Sequence, residues 1–166
     1  FVNSYLVEGD TGVVAVDGQL TVSAAREVRA ALDQLRKPLH AALVTHSHPD
    51  HYAGMAEIVA AQAARVIERF RERGDLVVHI RHEFKDENAP FFRPGSEGAQ
   101  IHPSAKNRED EPVVLKHFIN SFRETELKAI LDHHGINEVV VVGNMSHMCV
   151  DGMARAAVDF GYTTTV

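Results

Sequence analysis

The run EVVVVG, residues 138–143, constrains the fold more than any other stretch of this chain. Four consecutive valines leave no polar face, so the strand they predict must be covered on both sides. The next segment, CVDGMARAAVDFG, has helical apolar spacing and ends at Gly161, and TTTV then begins another strand. Strand, helix and strand in that order predict a right-handed βαβ unit with parallel strands.

The same alternation reaches back to residue 41. AALVT (41–45) reads as a short buried strand, and Met55, Ile58, Val59, Ala63, Val66, Ile67 and Phe70 form the apolar face of a long helix stopped by Gly74. LVVHI (76–80) is a strand, 81–111 is loop-rich, and VVLK (113–116) is a short strand. Ser121 and Glu124 have capping-box spacing ahead of Leu127, Ile130 and Leu131, and Gly135 closes that helix. Before residue 41, two β runs flank the turn EGDTG, and a helical stripe of Ala25, Val28, Leu32 and Leu35 ends before Pro38. The expected fold class is α/β, a doubly wound, mainly parallel sheet with an N-terminal β-hairpin.

Composition limits the function classes. A net charge of -6 without a basic block disfavours nucleic acid and anionic membranes as partners. No apolar run approaches the ~20 residues of a membrane span. The single cysteine, Cys149, excludes an internal disulfide and fits a reducing, cytoplasmic setting. The chain begins at Phe1 and stops at Val166 inside the strand-like TTTV, which suggests a piece of a longer chain whose missing N-terminus could carry a targeting signal.

Two stretches carry chemistry. In THSHPDH (45–51), His46, His48, Asp50 and His51 follow a buried strand, and imidazole with carboxylate suits zinc, with iron or manganese as alternatives. NSYLVEGDTGVVAVDG, a helix and AALVTHSHPDHYAG together resemble the N-terminal part of the metallo-β-lactamase superfamily over residues 1–58. That resemblance implies a metal ion at His46, His48, Asp50 and His51 that generates hydroxide for hydrolysis. The family's further ligands, from later strands, have no counterpart here: His79, His82, His102 and His117 lie in no matching context. HSHPDHYAG with Asp17-Gly18-Gln19 also resembles, more distantly, the metal motif of nicotinamidases.

The second stretch is GNMSHMCVDGMARAAVDFGY. Here Cys149 follows a buried strand and opens a helix, where free N–H groups favour a thiolate. FFRPGSEGAQIHP, EPVVLKHFINSFRETEL and VVVVGNMSHMCVDGMARAAVDFGY, in this order, resemble the isochorismatase-like cysteine hydrolases from about residue 60 onward. The resemblance implies a cysteine, lysine and aspartate triad, with Cys149 as nucleophile and Lys116 as the lysine. It also implies a cis peptide joining Asn144 and Met145, an oxyanion hole from the Met145 and Cys149 amides, and a thioester intermediate formed from a small-molecule substrate such as an amide. No cofactor is required on this route, and assembly into multimers is what the family implies. The aspartate's place is taken by His46, whereas Asp17 lies one strand too early and would serve only from a central strand. Arg93 and His102 are expected to border the substrate pocket, and His133 and His134 to be solvated at a helix C-terminus.

The expected organisation is a single mosaic domain, 1–166, joining a metallo-β-lactamase-like segment (1–58) to an isochorismatase-like one (59–166). The leading function is cysteine hydrolysis. A metal-dependent hydrolase and an inactive chimera are the alternatives.

Overall fold

The computed structural model describes residues 3–45, 51 and 54–166. The chain forms two compact units, residues 1–65 and 66–166. The fold class is α/β, as the strand–helix alternation predicts.

In the first unit, β1 (Tyr5–Glu8) and β2 (Val13–Val16) form the expected hairpin, closed by Gly9 N–H donating to the Gly12 carbonyl at 2.8 Å. Helix α1 (Val22–Gln34) begins where the Thr21 hydroxyl accepts from the Ala24 amide, which satisfies one of the otherwise orphaned first-turn donors. Strand β3 (Leu39–Leu43) starts two residues earlier than the AALVT run suggests and pairs parallel with β2. β2 is therefore the central strand, in the order β1-β2-β3. Val13, Ala15, Leu32, Met55 and Ile58 make the buried core, drawing on the sheet, α1 and the start of α2 (Met55–Arg73). Gly54 is required for that approach, because a Cβ there would collide with the Gly18 carbonyl and the Ala25 methyl.

The second unit contains parallel pairs β4 (His79–His82) with β5 (Val113–Lys116), and β6 (Glu138–Val140) with β7 (Thr163–Thr165). Helix α3 (Leu127–His133) precedes β6, and α4 (Asp151–Asp159) connects β6 to β7. One apolar core runs through Val114, Phe122, Leu127, Leu131, Val139, Val141, Val150, Ala157 and Tyr162. β4 lies three residues beyond the start of LVVHI, and EVVVVG contributes only its first three residues to a ladder, although Val141 N–H still reaches the Thr165 carbonyl at 2.8 Å.

The capping box expected at Ser121 and Glu124 does not form. Glu124 has φ +55°, which no helix tolerates, so α3 begins only at Leu127. The Thr125 hydroxyl instead donates to the Ser121 carbonyl at 2.6 Å. At the other end, Gly135 (φ +64°) stops the helix as expected, and His133 and His134 are exposed at its C-terminus. Among the described residues, no helix is long and apolar enough to cross a membrane.

The loop-rich stretch 81–111 is tied down by charge. Glu111 accepts from Arg71 Nε at 2.6 Å and from the Arg108 amide at 2.8 Å, and lies 2.9 Å from His79 Nε2. The Arg71 guanidinium outweighs the opposing effect of burial and holds the Glu111 carboxyl near 2, below its ordinary 4.5. A depressed folded-state value means that this stabilisation is complete above pH 4.5 and is lost as pH falls toward 2. Glu111→Gln should therefore melt lower than wild type at about pH 7 and respond less to acid across that window. Parallel acid profiles in thermal melts would contradict this.

Candidate active site

Strand register places the first two groups of the site. His82 and Lys116 are Cα partners at the carboxyl ends of adjacent parallel strands, β4 and β5. Side chains in register on paired strands project to the same face. Beyond β6 the chain turns through the cis Asn144–Met145 peptide into a π-helical turn, Ser146–Val150, which carries Cys149 and leads into α4. The cis bond lies where the resemblance implies it. The cysteine sits in that turn, two residues before the regular helix, not at its first residue.

These three elements converge on the Lys116 ammonium. Nζ donates to Cys149 Sγ at 3.1 Å and to the Phe118 carbonyl at 2.9 Å, and lies 3.0 Å from His82 Nδ1. Lys116 is 4% exposed, and Cys149 is half-buried. An ammonium has three protons and no acceptor, so the His82 nitrogen facing it must be the unprotonated one. Burial and then the neighbouring Lys116 and His117 push the His82 pKa below its ordinary 6.5, favouring that neutral form. Its ring is held edge-on by Phe84 and Phe92, with centroids 4.8 and 5.6 Å away.

Cys149 and Lys116 are thus brought together as the sequence motifs suggest. His82, by contrast, carries no sequence signal for its place. The run LVVHIRH offers two histidines, and only the register with VVLK selects the one opposite lysine. Three other histidines of this unit are engaged elsewhere: His79 with Glu111, His117 Nδ1 with the Glu83 carbonyl at 2.7 Å, and His102 Nδ1 with the Ser104 amide at 3.2 Å.

In the first unit, Asp17 follows the central strand β2, with φ +61°. Its carboxylate accepts from the Thr45 amide and hydroxyl at 2.8 Å each and lies 2.8 Å from His51 Nδ1. Burial opposes its charge, yet the Thr45 amide and His51 hold the Asp17 pKa below the ordinary value. His46, His48 and Asp50 lie outside the described residues. Among the described residues, no group of three or more histidine, cysteine, aspartate or glutamate side chains is arranged to hold a metal ion.

Comparison with known proteins agrees with the architecture of the second unit. The isochorismatase domain model matches residues 46–166, so the match takes in the histidine cluster as well as the cysteine stretch. The uncharacterised isochorismatase family protein YddQ of Bacillus subtilis is 43% identical over 110 residues, which are 66% of this chain and 61% of YddQ. Streptothricin hydrolase of Streptomyces noursei is 34% identical over 110 residues, 61% of this chain and 38% of that enzyme. A solved isochorismatase-class structure from Oleispira antarctica superposes with a TM-score of 0.63 at 38% identity, covering 95% of this chain and 74% of its own. The chain belongs to the isochorismatase family. It spans less than two thirds of the length of YddQ.

The lysine–thiol contact has a direct consequence. A neighbouring ammonium raises the thiolate fraction. Cys149 should react with iodoacetamide near neutral pH faster than a free thiol, and Lys116→Gln should slow it by about tenfold. Equal rates for wild type, variant and free thiol would contradict the assignment.

Proposed function

We propose that this chain is a cysteine hydrolase acting on a small amide or a related acyl substrate, with Cys149 as nucleophile and Lys116 as its partner. The observation that carries the reading is the 3.1 Å contact between the buried Lys116 ammonium and the Cys149 sulfur. The thiolate attacks the substrate carbonyl carbon. The C–N bond then breaks, the amine leaves with a proton given up by the Lys116 ammonium, and a thioester remains on Sγ. Water adds to the thioester, its proton returns to the Lys116 amine, the C–S bond breaks, and the acid departs as the thiolate is restored. The Met145 and Cys149 amides serve the oxyanion in both steps, a role for which donors preset in a turn are suited. Kinship with a relative named for hydrolysing streptothricin supports a hydrolase reading.

The third member of the triad stays open on this reading: Asp17 follows the central strand β2, the placement the role requires, with its carboxylate held by Thr45 and His51. His46 lies outside the described residues, and the imidazole that meets Lys116 is His82. Incubation with a reactive small amide or ester should give an intact-mass adduct equal to the acyl group, located on Cys149. Cys149→Ser should lack both the adduct and turnover. Turnover that survives in that variant would refute the cysteine route.

One contact favours a second reading for the first unit. A histidine held through Nδ1 by a carboxylate, as Asp17 holds His51, has Nε2 as its metal-binding nitrogen. The donor set His46, His48, Asp50 and His51 fits zinc chemically, and the ion would supply Lewis acidity there. Asp17 would set the orientation and tautomer of the His51 ring. On this reading residues 1–58 are the metallo-β-lactamase-like part of a mosaic. Dialysed protein should retain near-stoichiometric zinc that His51→Ala reduces. Zinc near zero in wild type would dispose of this reading.

A further inference from the structure

We infer that His82 is a positioning residue for the nucleophile, accepting a hydrogen bond from Lys116 through Nδ1 and so holding the ammonium against Cys149 Sγ. The inference rests on the cysteine-hydrolase reading and adds a residue to it.

A buried ammonium needs an acceptor for each of its protons. Lys116 has three N–H donors, and the three acceptors around it are Cys149 Sγ, the Phe118 carbonyl and His82 Nδ1, at 3.1, 2.9 and 3.0 Å. Removing any acceptor leaves a buried ammonium proton unpaired, which is costly and frees a flexible side chain to seek another partner. The Phe118 carbonyl belongs to the tight turn directly after β5 and can anchor the lysine alone, but with one anchor Nζ can swing about it. His82 supplies the second anchor and defines the direction toward sulfur.

His82 is itself well placed to act as a rigid acceptor. The β4–β5 ladder sets its distance from Lys116, and Phe84 and Phe92 hold its ring by edge contacts. The titratable groups facing it are Lys116 and His117 from β5 and the residue after it, and both are cationic or able to become so. A second positive charge on His82 would oppose the lysine, so the imidazole works as a neutral acceptor at neutral pH.

A merely structural role and a positioning role separate by variant. Asn places Oδ1 where histidine places Nδ1, whereas Gln reaches toward the Nε2 position and Ala provides no acceptor. The readout is the pH dependence of iodoacetamide labelling of Cys149, the only cysteine in the chain. His82→Asn is expected to follow the wild-type profile. His82→Ala and His82→Gln are expected to need a higher pH for the same rate, with labelling near neutral pH slowed about tenfold. Circular dichroism identifies any variant that fails to fold, and His82→Gln keeps the comparison intact if His82→Ala does not. Folded His82→Gln with the wild-type profile, or folded His82→Asn as slow as His82→Gln, overturns the inference. Wild-type labelling no faster than a free thiol overturns instead the cysteine-hydrolase reading beneath it.

Discussion

A buried lysine ammonium must be fully hydrogen-bonded, and the second unit is arranged around meeting that demand. Lys116 is nearly inaccessible to water, so the solvation it loses has to be replaced by fixed acceptors. The replacements come from three separate places: the partner strand, the turn after its own strand, and the crossover toward α4. None is local in sequence to both of the others. The parallel ladder and the apolar core behind Val114 and Val139 hold them together. Satisfying the charge therefore also brings a thiol to it. On the cysteine-hydrolase reading, the requirement of stability and the requirement of chemistry fall on the same atom.

The first unit handles a buried charge of the opposite sign in a similar way. Asp17 is 4% exposed, and the Thr45 amide, the Thr45 hydroxyl and His51 take the place of water around it. Here too the charged residue sits at the carboxyl end of a strand paired in parallel with a neighbour, where open α/β sheets gather polar groups. Each carboxyl-end cluster is satisfied within its own unit.

Much of the architecture was legible because it depends on local pattern. The hairpin, α1, α2 and β5 follow from apolar periodicity, and the stops at Gly74 and Gly135 follow from their positive φ. The pairing of Cys149 with Lys116 and the cis bond before the Cys149 turn were legible only through family resemblance, since no spacing reveals them. The failures are non-local. The Ser121–Glu124 pattern has correct capping-box spacing, but Glu124 takes a left-handed conformation and the helix starts later. His82 could not be singled out because strand register, not sequence order, puts it opposite Lys116. EVVVVG reads as a six-residue strand, and its first three residues pair with Thr163–Thr165.

The central claim is that a neutral His82 accepts from Lys116 beside the Cys149 sulfur. Nitrogen-15 NMR of the histidine rings, with His82 assigned by substitution, reads this directly. At about pH 7 the account predicts a neutral ring protonated on Nε2, with an unprotonated, hydrogen-bonded Nδ1. An imidazolium, or a proton on Nδ1, would leave Lys116 no acceptor there and would contradict the account.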